Sequence, residues 1–274
     1  MESQQTGSFE KANIWNTLIQ RYGLLLIFLV FAIVLSFLTD RFLTINNLLN
    51  ILRQASINGI ISVGMTLVIL TGGVDLSVGS ILALSGVIGA DLLQRGLPVS
   101  MVFVVALLIG VILGAINGIA ISRANIPPFI ATLGMLVVAR GLTLMYTQGQ
   151  PITGLPEAFR FIGTGSIGPI PMPIIVAGVV FAIGIIGLSR TRFGEYVYLT
   201  GDNPTAAYLA GIPTKEVITV VYAISGFCST LAGLILIARL DSAQPVIGIG
   251  FEFSAIAAVV VGGTSFIGGE GSLV

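Results

Sequence analysis

The sequence predicts an all-α fold: a polytopic helical membrane bundle with interrupted helices. Three observations carry that expectation. Charged residues are scarce, with 12 Lys+Arg and 12 Asp+Glu in 274 residues, or 9%, against roughly 25% in an average soluble domain. Apolar residues make up 55% of the chain and mean hydropathy is +1.04. A soluble domain of this size would lack the polar surface to cover itself, so lipid is the solvent for most of the chain. Finally, about eight apolar runs recur from end to end, divided by short polar or Gly/Pro-rich stretches.

Taken in order, the first run is 24–38, entered past Trp15 and Tyr22, which suit a membrane interface. A polar turn at 39–41 follows, then an amphipathic stretch at 42–56 with Asn46, Asn47, Asn50, Arg53 and Gln54 among leucines and isoleucines. The second run, 57–70, breaks at Thr71, Gly72, Gly73, Val74 and Asp75; the third is 76–93 and the fourth 99–121. Asn125, Pro127 and Pro128 separate the fourth from the fifth, 129–146, which contains Arg140. Residues 147–173 are too rich in Gly and Pro to span. The sixth run is 174–188, followed by a polar segment at 189–216 and the seventh run, 217–238. The eighth, 253–261, breaks at Gly262 and Gly263 and leads into a glycine-rich turn. That run is short for a span, so the natural chain is expected to continue beyond Val274. The polar stretch 1–21 before the first run argues against a removable signal peptide.

Lys/Arg in the loops sets orientation. With the N-terminus inside, Lys11, Arg21, Arg123, Arg190, Arg192 and Lys215 are inside, and Arg41, Arg53, Arg95, Arg160 and Arg239 outside. The margin is one residue, but the inside charges cluster more tightly, which favours this orientation.

The composition also excludes chemistry. Without His there is no Ser-His-Asp or Cys-His catalysis and no His-ligated metal. Cys228, the one cysteine, forms neither an intrachain disulfide nor a zinc site, and reads as a small buried hydrophobe. No G-x-x-x-x-G-K-[ST] occurs, so ATP is not held by a phosphate loop of this chain. No catalytic residue, metal ligand or cofactor is expected, and zero net charge argues against a nucleic-acid partner.

Three constellations remain. In residues 71–80, two adjacent glycines precede Asp75 close to membrane depth. Two readings of this segment, which can both hold, are a broken helix beside a translocation path and a cytoplasmic turn with Asp75 capping the next helix. Residues 259–272 echo it, with an apolar run, a Gly-Gly break and a closing Gly-Ser. The echo is either a weak internal repeat, which points to a transport pathway, or chance in a Gly-rich chain. Arg140 either faces the bundle interior or snorkels to the outer interface beside Tyr146. In the polar segment, Asp202 or Asn203 can cap a short helix that starts at Pro204 and ends at Gly211. With Tyr208 and Leu209 exposed it makes a docking element, the alternative being a solvated connecting loop. Asn58, Thr66, Asp75, Asn117, Thr132 and Arg140 are the polar candidates for a translocation path.

Several stretches resemble one family: 42–48 (FLTINNL), 64–80 (GMTLVILTGGVDLSVGS), 129–133 (FIATL), 191–194 (TRFG), 238–245 (ARLDSAQP) and 255–265 (AIAAVVVGGTS). They look like the permease subunit of bacterial ABC importers for monosaccharides, over nearly the whole chain and in order. The resemblance implies a single permease domain over 1–274 in the bacterial inner membrane, with ribose as the expected cargo. It implies a cytoplasmic ATP-binding subunit, an extracytoplasmic sugar-binding protein and a second permease subunit, normally an identical copy. It also implies that the 189–216 loop couples to the ATPase through Gly201, Asn203, Pro204, Ala206, Ala207 and Gly211. The rival from the residues alone is an ion- or proton-coupled sugar carrier, for which Asp75 and Glu252 are the available carboxylates.

Overall fold

The computed structural model describes residue 23 and residues 26–273. Trp15, Tyr22, Lys11, Arg21, Leu24 and Leu25 lie outside the described residues. The chain divides into two units, Met1–Ile51 and Leu52–Val274. In the first unit, α1 (Leu26–Leu38) is apolar on all sides and exposes most of its large side chains. The turn after it ends at Thr44, whose hydroxyl accepts from the Asn47 amide at 3.4 Å and so opens α2 (Ile45–Leu70). The amphipathic stretch and the second apolar run are therefore one helix. No Gly or Pro lies at their junction, and the polar residues are placed on the helix without breaking it.

The second unit continues with α3 (Val78–Gln94), α4 (Val99–Ser122) and α5 (Pro128–Thr147). Then come α6 (Glu157–Thr164), α7 (Met172–Arg190), α8 (Arg192–Asp202), α9 (Pro204–Leu209), α10 (Thr214–Leu240) and α11 (Phe251–Val261). Among the described residues, α2, α4, α5, α7 and α10 are long and apolar enough to cross a membrane, and α1, α3 and α11 are shorter apolar helices. Together these answer to the eight apolar runs.

Helix α10 is the centre of this unit: 67% of its most apolar window is buried, against 22% for α4 and 17% each for α5 and α7. The outer helices turn Leu108, Ile112, Val137, Ile183 and similar side chains outward, as lipid requires. Lipid tails give no hydrophobic drive for helix association, so close backbone packing must supply it. Along α4 the buried positions include Ala106, Gly110, Gly114 and Gly118, one ridge at four-residue spacing. A methyl at Gly110 would strike Thr230 and the Gly226 carbonyl; at Gly114 it would strike the Tyr222 carbonyl, and at Gly118 the backbone of Thr219. Backbone-to-backbone contact is what holds α4 to α10.

The loops meet in two groups. At one end, the Gly/Pro-rich segment 147–173 is not a span but does contain α6, whose Phe159 is buried. There β1 (Ile152–Thr153) pairs antiparallel with β4 (Ser242–Ala243), and the Leu155 amide donates 2.8 Å to Asp241. Two further short strands, β2 (Ser166–Ile167) and β3 (Ile170–Pro171), form a hairpin between α6 and α7. Gln94 also bonds the Thr153 carbonyl at this end, at 2.7 Å. At the other end, Arg123 and Glu216 lie 3.8 Å apart. Segments assigned to the same side of the membrane thus meet one another.

Candidate functional site

Helix α2 ends in a left-handed turn. The Gly72 amide bonds the Ile69 carbonyl at 2.8 Å and the Gly73 amide bonds that of Val68 at 3.1 Å, with Gly72 at φ +75°. From Gly73 to Asp75 the backbone is irregular, and side chains from two other helices bond its Val74 carbonyl. Asp75 is fully buried. Its Oδ1 accepts from the Ser77 amide at 2.9 Å and the Ser77 hydroxyl at 2.5 Å. Its Oδ2 accepts from Ser225 of α10 at 2.8 Å. Asn117 of α4 donates to the Ser77 hydroxyl at 2.9 Å. The Val74 carbonyl accepts from Thr132 of α5 and from Tyr222 of α10, each at 3.3 Å. Ser77, not Asp75, takes the N-cap position of α3, without a side-chain cap bond. Asp75, Asn117 and Thr132, expected along a path, are brought together here as one buried network.

Helix α11 ends the same way as α2: the Gly263 amide bonds the Val260 carbonyl at 2.9 Å and the Thr264 amide bonds that of Val259 at 3.2 Å, with Gly263 at φ +94°. The sequence echo is thus matched by one turn geometry at both breaks. The loop that follows returns to the first break, where the Gly269 amide donates 2.9 Å to the Leu70 carbonyl. The C-terminal turn of α8 completes the junction. A methyl at Gly201 would collide with the Leu70 carbonyl and approach the Gly269 amide, and one at Gly268 would press on Gly72 and the Gly201 carbonyl. Tyr198 of α8 donates 2.8 Å to the Gly271 carbonyl. Burial pushes its phenol above the ordinary value, so it keeps that proton.

Helix α8 was not expected within the polar segment; Thr191 opens it, accepting from the Gly194 amide. The short helix after it was. Asn203 is the N-cap of α9, its Oδ1 accepting from the Ala206 amide at 2.9 Å, and Pro204 is the first helical residue. Gly211, at φ +86°, follows its end. Of the six coupling candidates, Gly201 and Ala207 are buried, whereas Asn203, Pro204, Ala206 and Gly211 face outward. Tyr208 and Leu209 are 65% and 80% exposed.

Among the clefts along α2, two carry its polar side chains. One, of about 370 Å³, is lined by Asn58, Ser62 and Thr66 of α2, Phe181 of α7, and Thr264 and Ser272 of the second break. The other, of about 300 Å³, is lined by Gln54 and Asn58, by Leu236 and Arg239 of α10, and by Phe251 of α11. Gln54, Asn58, Ser62 and Thr66 recur every fourth residue and so form one polar row on the helix. That spacing was the signal that could have added Gln54 and Ser62 to Asn58 and Thr66. Arg140 lines neither cleft. Its Nη1 donates to the carbonyls of Pro245 and Ile247, each at 2.8 Å, and it interacts electrostatically with Glu252. It points inward from α5 and fastens the segment leading into α11.

Comparison with known proteins adds the following. Residues 47–273 match the family described as branched-chain amino acid transport system / permease component. The chain is 45% identical over 275 residues to the ribose import permease protein of Haemophilus influenzae, covering 99% of this chain and 84% of that one. It is 44% identical over 276 residues to the ribose import permease protein of Bacillus subtilis (100% and 86% covered). It is 38% identical over 274 residues to the D-allose transport system permease protein of Escherichia coli K12 (99% and 83%). No solved structure matches the chain.

Proposed function

We propose, from the premise that this chain belongs to the transport-system permease-component family, that it carries a monosaccharide, ribose first among candidates, as the membrane subunit of an ATP-driven importer. It is a multi-pass inner-membrane protein and a transport component, not an enzyme. The relatives named for sugars align over nearly all of the chain, which supports a sugar cargo over the amino acids of the family description.

One observation carries the coupling mechanism: α9 is capped, stands outward, and follows directly from the α8 turn that is wedged against both helix breaks. A cytoplasmic ATP-binding subunit grips α9 through Tyr208 and Leu209. As the nucleotide closes that subunit's dimer, α8 presses on the Leu70–Gly269 junction and shifts the breaks. The path along the α2 polar row then opens alternately to each side. An extracytoplasmic binding protein delivers the sugar, and a second copy of this chain completes the pore. The proton-driven alternative needs a carboxylate in the path. Neither Asp75 nor Glu252 lines the two clefts, and Asp75 is bonded on both oxygens.

Proteoliposomes holding the permease, its ATPase and the binding protein test this. Labelled ribose should enter only with ATP and continue when the proton gradient is collapsed. Uptake that persists with a hydrolysis-dead ATPase contradicts the coupling.

A further inference from the structure

The geometry points to the 300 Å³ cleft at Gln54, Asn58, Arg239 and Phe251 as a sugar-binding subsite inside the permease itself. Three polar side chains share this cleft. Among the described residues, none of them makes a side-chain hydrogen bond or ion pair. Gln54 is exposed and Asn58 and Arg239 are half-buried, so their polar ends are reachable from the cleft. Asp75, Asn117 and Arg140, by contrast, are hydrogen-bonded to the protein. The rest of the lining is apolar: Ile57, Leu236, Leu240 and Phe251.

That pairing suits one ligand chemistry. A monosaccharide ring offers hydroxyls that both donate and accept, and a C–H face that is apolar. The two amides donate and accept, the guanidinium donates in a fixed fork, and the Phe251 ring receives the C–H face. No Asp or Glu lines the cleft, so an amino acid's ammonium finds no partner there, whereas a neutral sugar needs none. The position also fits. Gln54 lies 16 residues before Leu70, about 24 Å along α2 at 1.5 Å per residue. Arg239 is on the last turn of α10, the end away from α9. Asn58 borders both clefts. In the second cleft, Ser62 and Thr66 give their hydroxyl protons to the Asn58 and Ser62 carbonyls, each at 2.8 Å. The outer cleft therefore gathers the donors of Gln54, Asn58 and Arg239, whereas in the inner one Ser62 and Thr66 have committed their protons and Asn58 is the donor shared by both. The cargo is gripped and discriminated at the outer cleft and then released along the row.

This subsite rests on the importer reading above, and the test separates the two. Asn58→Leu, Asn58→Gln and Arg239→Gln are each assembled with ATPase and binding protein in proteoliposomes. Asn58→Leu and Arg239→Gln should lower ribose import about tenfold while hydrolysis stimulated by loaded binding protein continues; Asn58→Gln should recover at least half of the import. Import at the parental rate, or hydrolysis falling in step with import, overturns the subsite. A parental complex that imports no monosaccharide with ATP overturns the importer reading instead. Independently, Asn58→Cys should react with a small maleimide, and millimolar ribose should slow that reaction several-fold. Protection by a sugar phosphate but not by ribose, or by neither, overturns the assignment.

Discussion

The Gly269 amide donates 2.9 Å to the Leu70 carbonyl, so the last turn of α2 is closed by the loop that follows α11. Gly201 of α8 sits against the same carbonyl with no room for a side chain. Gly201→Ala should therefore push α8 off the junction. Overpacking of this kind costs about 1–3 kcal/mol. The expected outcome is a lowered unfolding temperature in detergent, together with ATP hydrolysis that no longer drives full uptake. Unchanged uptake per ATP would sever α8 from the gate.

The Asp75–Ser225 bond ties the first break to α10 at 2.8 Å. Ser225→Ala leaves Asp75 with its Ser77 partners and should cost about 1 kcal/mol, whereas Asp75→Ala strands the donors of Ser77 and Ser225 and should cost about 1–3 kcal/mol. Because both changes remove the same bond, the double variant should be less destabilised than the sum. Denaturation of the four proteins in one detergent reads the coupling directly; strict additivity would mean the bond contributes nothing.

Helix α9 makes the opposite kind of prediction. Leu209 is 80% exposed, so Leu209→Asp should leave the unfolding temperature unchanged. If α9 is the ATPase contact, the same change at the centre of an interface should weaken co-purification of the ATPase about tenfold or more. Equal recovery of the ATPase would remove α9 from the interface.

The spans were legible because length and apolarity decide them. The short helix at Pro204 was legible because Asn203, Pro204 and Gly211 are its start and stop signals. Continuity of α2 was not, since Asn50, Arg53 and Gln54 read as an interfacial stretch until their helical row is seen. Helix α8 was missed because its buried face, Gly194, Val197, Thr200 and Gly201, includes just one strongly apolar residue. Gly110, Gly114 and Gly118 carried a readable spacing for close helix packing. Ser225, Tyr222 and Arg239 could not be assigned from sequence. Their partners or cleft neighbours on α2, the first break and α11 are distant in the chain, and only packing around α10 brings them near.

Arg140 supports the start of α11 through one nitrogen that reaches two carbonyls, Pro245 and Ile247, each at 2.8 Å. Removing it with Arg140→Leu strands both carbonyls and leaves Glu252, which is 7% exposed, without the positive charge that offsets it. Hydrogen bonds to charged groups contribute about 1.5–3 kcal/mol. The loss should therefore lower the unfolding temperature and loosen the segment carrying Phe251. Because the two bonds leave from a single nitrogen, a lysine ammonium can make both if its stem reaches, so Arg140→Lys should keep much of the stability. A residue that merely snorkels toward the membrane interface would give another pattern: leucine tolerated as well as lysine, and no change in hydrogen exchange at residues 245–252. Exchange that rises there in Arg140→Leu and returns toward the parental rate in Arg140→Lys is the expected result.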